Sequence, residues 1–181
     1  MPQLPQPLID TAFHMRGDLR ILRRDAQTLE LLDLWEKKNV ITFGAGFNVM
    51  KLLAPNLAFG ASVQAESQIL SMRFGTSNVV PQRSDTDLAS EATVLGVPIR
   101  IALPDANRIV NPSGTVEFVA VLDSATGNGV TYREAGLFTR GTSADPLVTT
   151  GSTMFSRQVY PDQPKTSAVE LEFRWRLTMT T

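Results

Sequence analysis

His14 is the only histidine in the chain and cysteine is absent. General acid–base work near neutral pH, histidine-ligated metal and thiolate chemistry therefore rest on one side chain or on none. That histidine follows a segment bearing Pro2, Pro5 and Pro7, which offers no rigid support for a Ser-His-Asp relay, so its ordinary reading is a surface or packing residue. Asp85, Asp87 and Glu91 are the acids that could suggest a calcium loop. The glycine and distal glutamate spacing of an EF-hand is missing, and the stretch PQRSDTDLASE reads as a solvated connection. Asp105 and Asn107 beside Pro104 are turn formers. No glycine-rich phosphate loop follows a strand, no serine sits in a Gly-x-Ser-x-Gly elbow, and nothing nominates a pair of carboxylates for glycoside hydrolysis. The expectation is a non-enzymatic protein with no catalytic residue, no cofactor and no metal.

Two charge features remain. Arg20, Arg23 and Arg24 form a basic cluster that could hold phosphate, although a solvated or ion-paired strand face is the commoner meaning of such a cluster. Glu134 lies in the strand-like run YREAGLF beside Arg133. Facing inward it would need a backbone or arginine partner, because an unpaired buried charge costs several kcal/mol. Gly136, two residues on, marks a bulge or a close backbone approach.

The elements that must position these residues are mostly strands. From Leu19 the chain alternates, with Leu19, Ile21 and Arg23 on one face and Arg20, Leu22 and Arg24 on the other, and a polar turn follows at Asp25 to Thr28. A return strand over about 30–42 places Leu32, Leu34 and Glu36 on one face and Leu31, Asp33, Trp35 and Lys37 on the other, with a helix as the competing reading. Phe47, Met50 and Leu52 or Leu53 fall at helical spacing before Pro55, which predicts one short helix. Further strands are expected over 69–74, 93–103, 115–123, 130–139, 147–159 and 167–179, separated by turn chemistry such as Pro161-Asp162-Gln163-Pro164.

The last of these is the clearest. Val169, Leu171, Phe173, Trp175, Leu177 and Met179 alternate with Glu170, Glu172, Arg174, Arg176 and Thr178, and only a period of two fits. Burying six such side chains is worth roughly 10 kcal/mol gross, which makes Phe173 and Trp175 structural residues and the charged face a surface for cross-strand pairing. Val119 and Val121, interleaved with Phe118, Ala120 and Leu122, suggest a strand covered on both faces. Regular spacing of this kind predicts a mainly β protein, an antiparallel, jelly-roll-like β-sandwich with an N-terminal hairpin and one short helix. The expected organisation is an extended arm over 1–16, a hairpin-plus-helix attachment region over 17–66 and the sandwich over 67–181.

Composition narrows the partners. A formal net charge of -1 lacks the positive field that sequence-independent nucleic-acid binding requires. No apolar run approaches the ~20 residues of a membrane span, and MPQLPQPLID has no signal-peptide pattern. Neither nucleic acid nor membrane is an expected partner.

The order of motifs, RDAQTLELLDLWEKKNVIT, GFNVMKLL, ILSMRFGTSNVVPQRSDTDLASE, YREAGLF and MFSRQVYPDQPKTSAVELEFRWRLTM, resembles that of tailed-bacteriophage virion proteins of the tail-fibre, collar or baseplate kind. In those proteins the FGT run often continues as FGTGT, where this chain has Ser77 and Asn78. The resemblance implies a β-rich structural subunit of the virion, assembled in the host bacterial cytoplasm. It further implies a homo-oligomer, trimeric or hexameric, bound to other virion proteins of the tail, portal or adaptor, baseplate or fibre. Pro2, Pro5, Pro7, Arg20, Arg23, Arg24 and Trp35 are then the expected contact residues. The alternative is a receptor- or carbohydrate-binding module, which would need exposed aromatics along a groove.

Overall fold

The computed structural model describes residues 14–46, 49, 66–112 and 114–180. The chain is mainly β and antiparallel throughout. Its strands are β1 (His14–Asp25), β2 (Leu31–Ile41), β3 (Ile69–Gly75), β4 (Thr93–Val94), β5 (Val97–Pro98), β6 (Arg100–Ala102), β7 (Arg108–Asn111), β8 (Thr115–Leu122), β9 (Thr131–Thr139), β10 (Met154–Pro164) and β11 (Val169–Thr180). Nine of them form one curled sheet in the order β6-β3-β9-β10-β2-β1-β11-β8-β7, and β4 and β5 make a separate small hairpin.

The curl produces the two layers of a sandwich. One layer is β2-β1-β11-β8-β7 and the other β10-β9-β3-β6, joined where β10 meets β2 over only two residue pairs, Ser156 with Ile41 and Arg157 with Val40. Leu19, Ile21, Phe118, Leu122, Phe173 and Trp175 from the first layer meet Met72, Phe74, Leu137 and Tyr160 from the second. Tilted ring contacts stitch the layers together, Phe74 to Phe173 at 4.7 Å and Tyr160 to Phe173 at 5.9 Å between centroids, the offset geometry aromatic pairs prefer. In β11 the alternation is realised from Val169 to Leu177, all buried, and ends at Met179, which is half-exposed.

The hairpin is integral to this sheet. β1 lies between β2 and β11, pairing with β11 along its whole length from His14 with Thr180 to Asp25 with Val169, and Leu19 and Ile21 belong to the common core. What the hairpin can offer to another molecule is its outer face and its tip.

Several local expectations are revised. The chain over 93–103 is three short strands, because Leu95 and Gly96 both take positive φ and reverse it between β4 and β5, and Ile99 separates β5 from β6. β7 was not anticipated; it is a four-residue edge strand held by β8. Chain 147–153 is loop, and β10 instead continues through Pro161 to Pro164, with a bulge between Val159 and Gln163. Prolines are tolerated there because β2 no longer pairs with β10 beyond Arg157, so that side of the ladder needs no donor. The strands buried on both faces are β3, β9 and the first half of β10, Met154 to Gln158, whereas Val119 and Val121 of β8 are half-buried. The helix begins earlier than the spacing suggested, at residues 43–46 with Val49 also helical; Phe47, Met50, Leu52 and Leu53 lie outside the described residues.

Candidate subunit interface

The turn that closes β1 onto β2 is built by one carboxylate. Asp25 Oδ1 accepts the backbone amides of Gln27 at 2.9 Å and Thr28 at 2.8 Å together with the Thr28 hydroxyl at 3.2 Å, and the Thr28 and Gln27 amides hold this carboxyl below the usual aspartate range. The backbone closes with Leu29 N on Asp25 O and Asp25 N on Glu30 O, both at 2.9 Å, and Leu29 takes φ +58°. From this fixed turn the chain presents Leu29, Leu31, Leu32 and Leu34 to solvent at 55, 48, 53 and 52 % exposure. Leu34 sits opposite the half-buried Leu22 of β1. The result is a leucine-rich tip on a rigid ladder, the kind of contiguous apolar surface that marks an interaction site.

Beside the leucines the outer sheet is a grid of opposite charges. Arg20 meets Glu36 at 2.8 Å across β1 and β2, Arg24 meets Glu172 at 3.4 Å, Glu172 also pairs with Arg174, and Glu117 receives Arg174 at 3.0 Å and Arg176 at 3.2 Å. Arg20 faces Arg174 in the register, and the two like charges are drawn apart by different acids. Arg23, expected on the face of Leu19 and Ile21, is half-buried, and its Nε has no hydrogen-bond partner among the described residues.

No family model, curated protein or solved structure matches this chain.

The expected contact residues are thus only partly brought together. Arg20 and Arg24 share the outer face; Trp35 turns to the core side, half-buried with its ring 5.8 Å from that of Tyr160. Pro2, Pro5 and Pro7 lie outside the described residues. The leucines at the tip were the omitted signal: the run LELLDL puts apolar side chains on both faces of one strand, and only one face can meet the core.

The acids that might have done chemistry are all engaged in structure. Glu134 is fully buried and accepts Ala89 N at 3.2 Å and Ser90 N at 2.8 Å while Arg157 approaches to 2.6 Å. Arg157, also buried, reaches Asp85 at 2.7 Å and the Val79 carbonyl at 3.1 Å. This knot clamps the loop after β3 onto β9 and β10. Gly75 is required beneath it, because a Cβ there would collide with Glu134 Oε1 and the Ser90 carbonyl. At Gly136 a Cβ would meet the Phe138 ring at 2.8 Å and Leu88 at 3.1 Å; the bulges of the β9–β10 ladder fall to either side of it. Glu91 is taken by Arg100 in a two-pronged pair at 2.7 Å, and Asp87 caps the Leu88 amide. Asp105 pairs with Arg108, and Asn107 donates to the Val119 carbonyl at 2.9 Å. Arg73, buried under Phe138 with Cζ 3.8 Å from the ring centroid, is lowered to about 10 by burial and by the nearby Arg100 charge, and so keeps its charge at neutral pH. Among the described residues no three His, Asp or Glu side chains are grouped to hold a metal ion.

Proposed function

We propose that this chain is a non-enzymatic structural subunit of a tailed-phage virion, in the tail, neck or collar, or baseplate, held in place by neighbouring protein subunits through the outer face and tip of the β1–β2 hairpin. The observation that carries this reading is the leucine group at 29, 31, 32 and 34, half-exposed on a backbone fixed by the Asp25 turn. Covering the exposed half of each leucine is worth roughly 1 kcal/mol per side chain, and the arginine–glutamate grid around them supplies a polar rim that can set orientation. The motif order of the sequence and the sandwich architecture support the same role. The proline-bearing N-terminal segment, with Pro2, Pro5 and Pro7, adds a further contact in this reading, and a closed homo-oligomer, trimeric or hexameric, is the form in which such a subunit works.

A carbohydrate-binding groove would need several exposed aromatics, and among the described residues Phe43 alone is exposed, at 67 %, while Tyr132, Tyr160 and Trp175 are buried and Trp35 is half-buried. The test of the structural role is a Leu32→Glu, Leu34→Glu double variant produced by a phage that carries this gene. The variant should fold, with melting unchanged to within a few degrees, and be lost from purified particles on a density gradient. Incorporation at the wild-type level would overturn the reading.

A further inference from the structure

The β4–β5 hairpin turns on Leu95 and Gly96, with φ of +51° and +79°. This is the two-residue turn in which both central residues are left-handed, where asparagine or glycine ordinarily comes first. A leucine there is strained by its own Cβ. Leu95 is also fully exposed at 100 %, with Val97 at 64 %, and from Ala92 to Ile99 the chain carries no charge. A Cβ built on Gly96 meets nothing within 4 Å, so the tip projects clear of its described surroundings. The isolated fold gains nothing from either feature, and backbone strain together with apolar exposure at one residue points to an occupant supplied from outside.

At the other end of the strands the two layers part around an apolar cavity of about 500 Å³. Met15, Val110, Val116, Phe118, Leu177 and Met179 line it, and Val110 and Met179 stand exposed at its mouth at 77 and 50 %. β1, β3 and β8 begin at this end. The β4–β5 hairpin leaves the sheet where β3 finishes, tied there by Ala92 N on Phe74 O at 2.8 Å and Phe74 N on Ile99 O at 3.3 Å. Knob and socket therefore sit at opposite poles of one molecule.

We propose that Leu95 seats in the apolar cavity of a second copy of this chain, a head-to-tail contact that every copy can give and receive. The inference rests on the structural-subunit reading and names one of its partners. A second copy is the favoured occupant because the same chain offers both halves, each uncharged apart from Arg108 at the socket, and a net charge of -1 raises no barrier to self-association. Because the two surfaces differ, the contact is heterologous; it closes into a ring if the rotation between copies allows and otherwise runs on as a filament.

Sedimentation velocity on the full chain tests this with two variants. Leu95→Asn relieves the turn and should melt no lower than wild type; Val110→Glu places a charge on an exposed edge strand and leaves the core intact. Wild type should self-associate, and each variant should do so at least about tenfold more weakly, the effect of losing one buried leucine contact or of charging its socket. An equal mixture of the two variants should give a two-chain species and nothing larger, since Val110→Glu retains a knob and Leu95→Asn a socket. A wild type that stays monomeric up to about 1 mM, or variants that associate as wild type does, would overturn the contact. So would a photocrosslinker at position 110 that captures only residues of its own chain. If both variants associate normally while the Leu32/Leu34 variant is lost from particles, the knob falls alone and the structural role stands.

Discussion

Beneath the loop after β3, Arg157 meets Glu134 with side chains 1 and 0 % exposed, whereas on the outer sheet Arg20 meets Glu36 with side chains 43 and 44 % exposed. The residue types and the distances are nearly the same. In the first pair every charge is answered by a second partner, Asp85 and the Val79 carbonyl for the arginine and two backbone amides for the glutamate. Removal from water obliges that completeness, because a buried charge that loses its partner cannot recover it from solvent. In the second pair water stands in for whatever is lost, so the pair is free to be exchanged for a contact with another subunit. Burial thus sorts one chemistry into a clamp and a rim.

The comparison breaks most severely at Glu134. Glu134→Ala leaves Arg157 and the Ala89 and Ser90 amides without their acceptor, and urea unfolding should show a loss of about 3–5 kcal/mol. A loss below about 1 kcal/mol would show that the clamp is dispensable. Asp85→Asn, which weakens the more exposed side of the knot and its bond to the Gln82 amide at 2.8 Å, should cost about 1–2 kcal/mol and raise proteolysis in the 76–91 loop first.

On the outer face a double-mutant cycle of Arg20→Ala with Glu36→Ala should return a coupling of only about 0.2–1 kcal/mol, falling further as salt is raised. A coupling as large as that of the clamp would erase the distinction. The smallest effect is local. Asp25 has its pKa lowered by the Thr28 and Gln27 amides, so the stability it contributes is present above the unfolded carboxyl's pKa and is lost as pH falls through the depressed folded value. Amide exchange at Gln27 and Thr28 should accelerate over that acidic window while the Trp175 signals of the core stay unchanged, and simultaneous loss of both would tie the turn to global unfolding instead.

Much of the candidate site was written in the chain without being readable as a site. The faces of β1 followed from alternation, and Arg20 and Arg24 do share the outer one. Yet LELLDL offers two apolar faces, and nothing local says which leucines the core will refuse. Arg157 shows the same limit from the other side: MFSRQV reads as an ordinary strand, and its arginine is the partner of a glutamate 23 positions away only because β9 and β10 pair in one register.

By itself the sequence determined what short-range rules can encode: period-two strands, the turn at Asp25 to Thr28, the absence of cysteine chemistry and a core strand running from Val169 to Leu177. The tertiary structure alone decided which charges went inside and which apolar groups stayed out. It let β10 run through two prolines once its pairing with β2 had ended, buried β3 and β9 on both faces, and set Leu95 and an apolar cavity at opposite poles. The physical reason is common to all of these. Burial, ladder satisfaction and surface exposure depend on which strands become neighbours, and that pairing is a property of the whole sheet that no window of sequence contains.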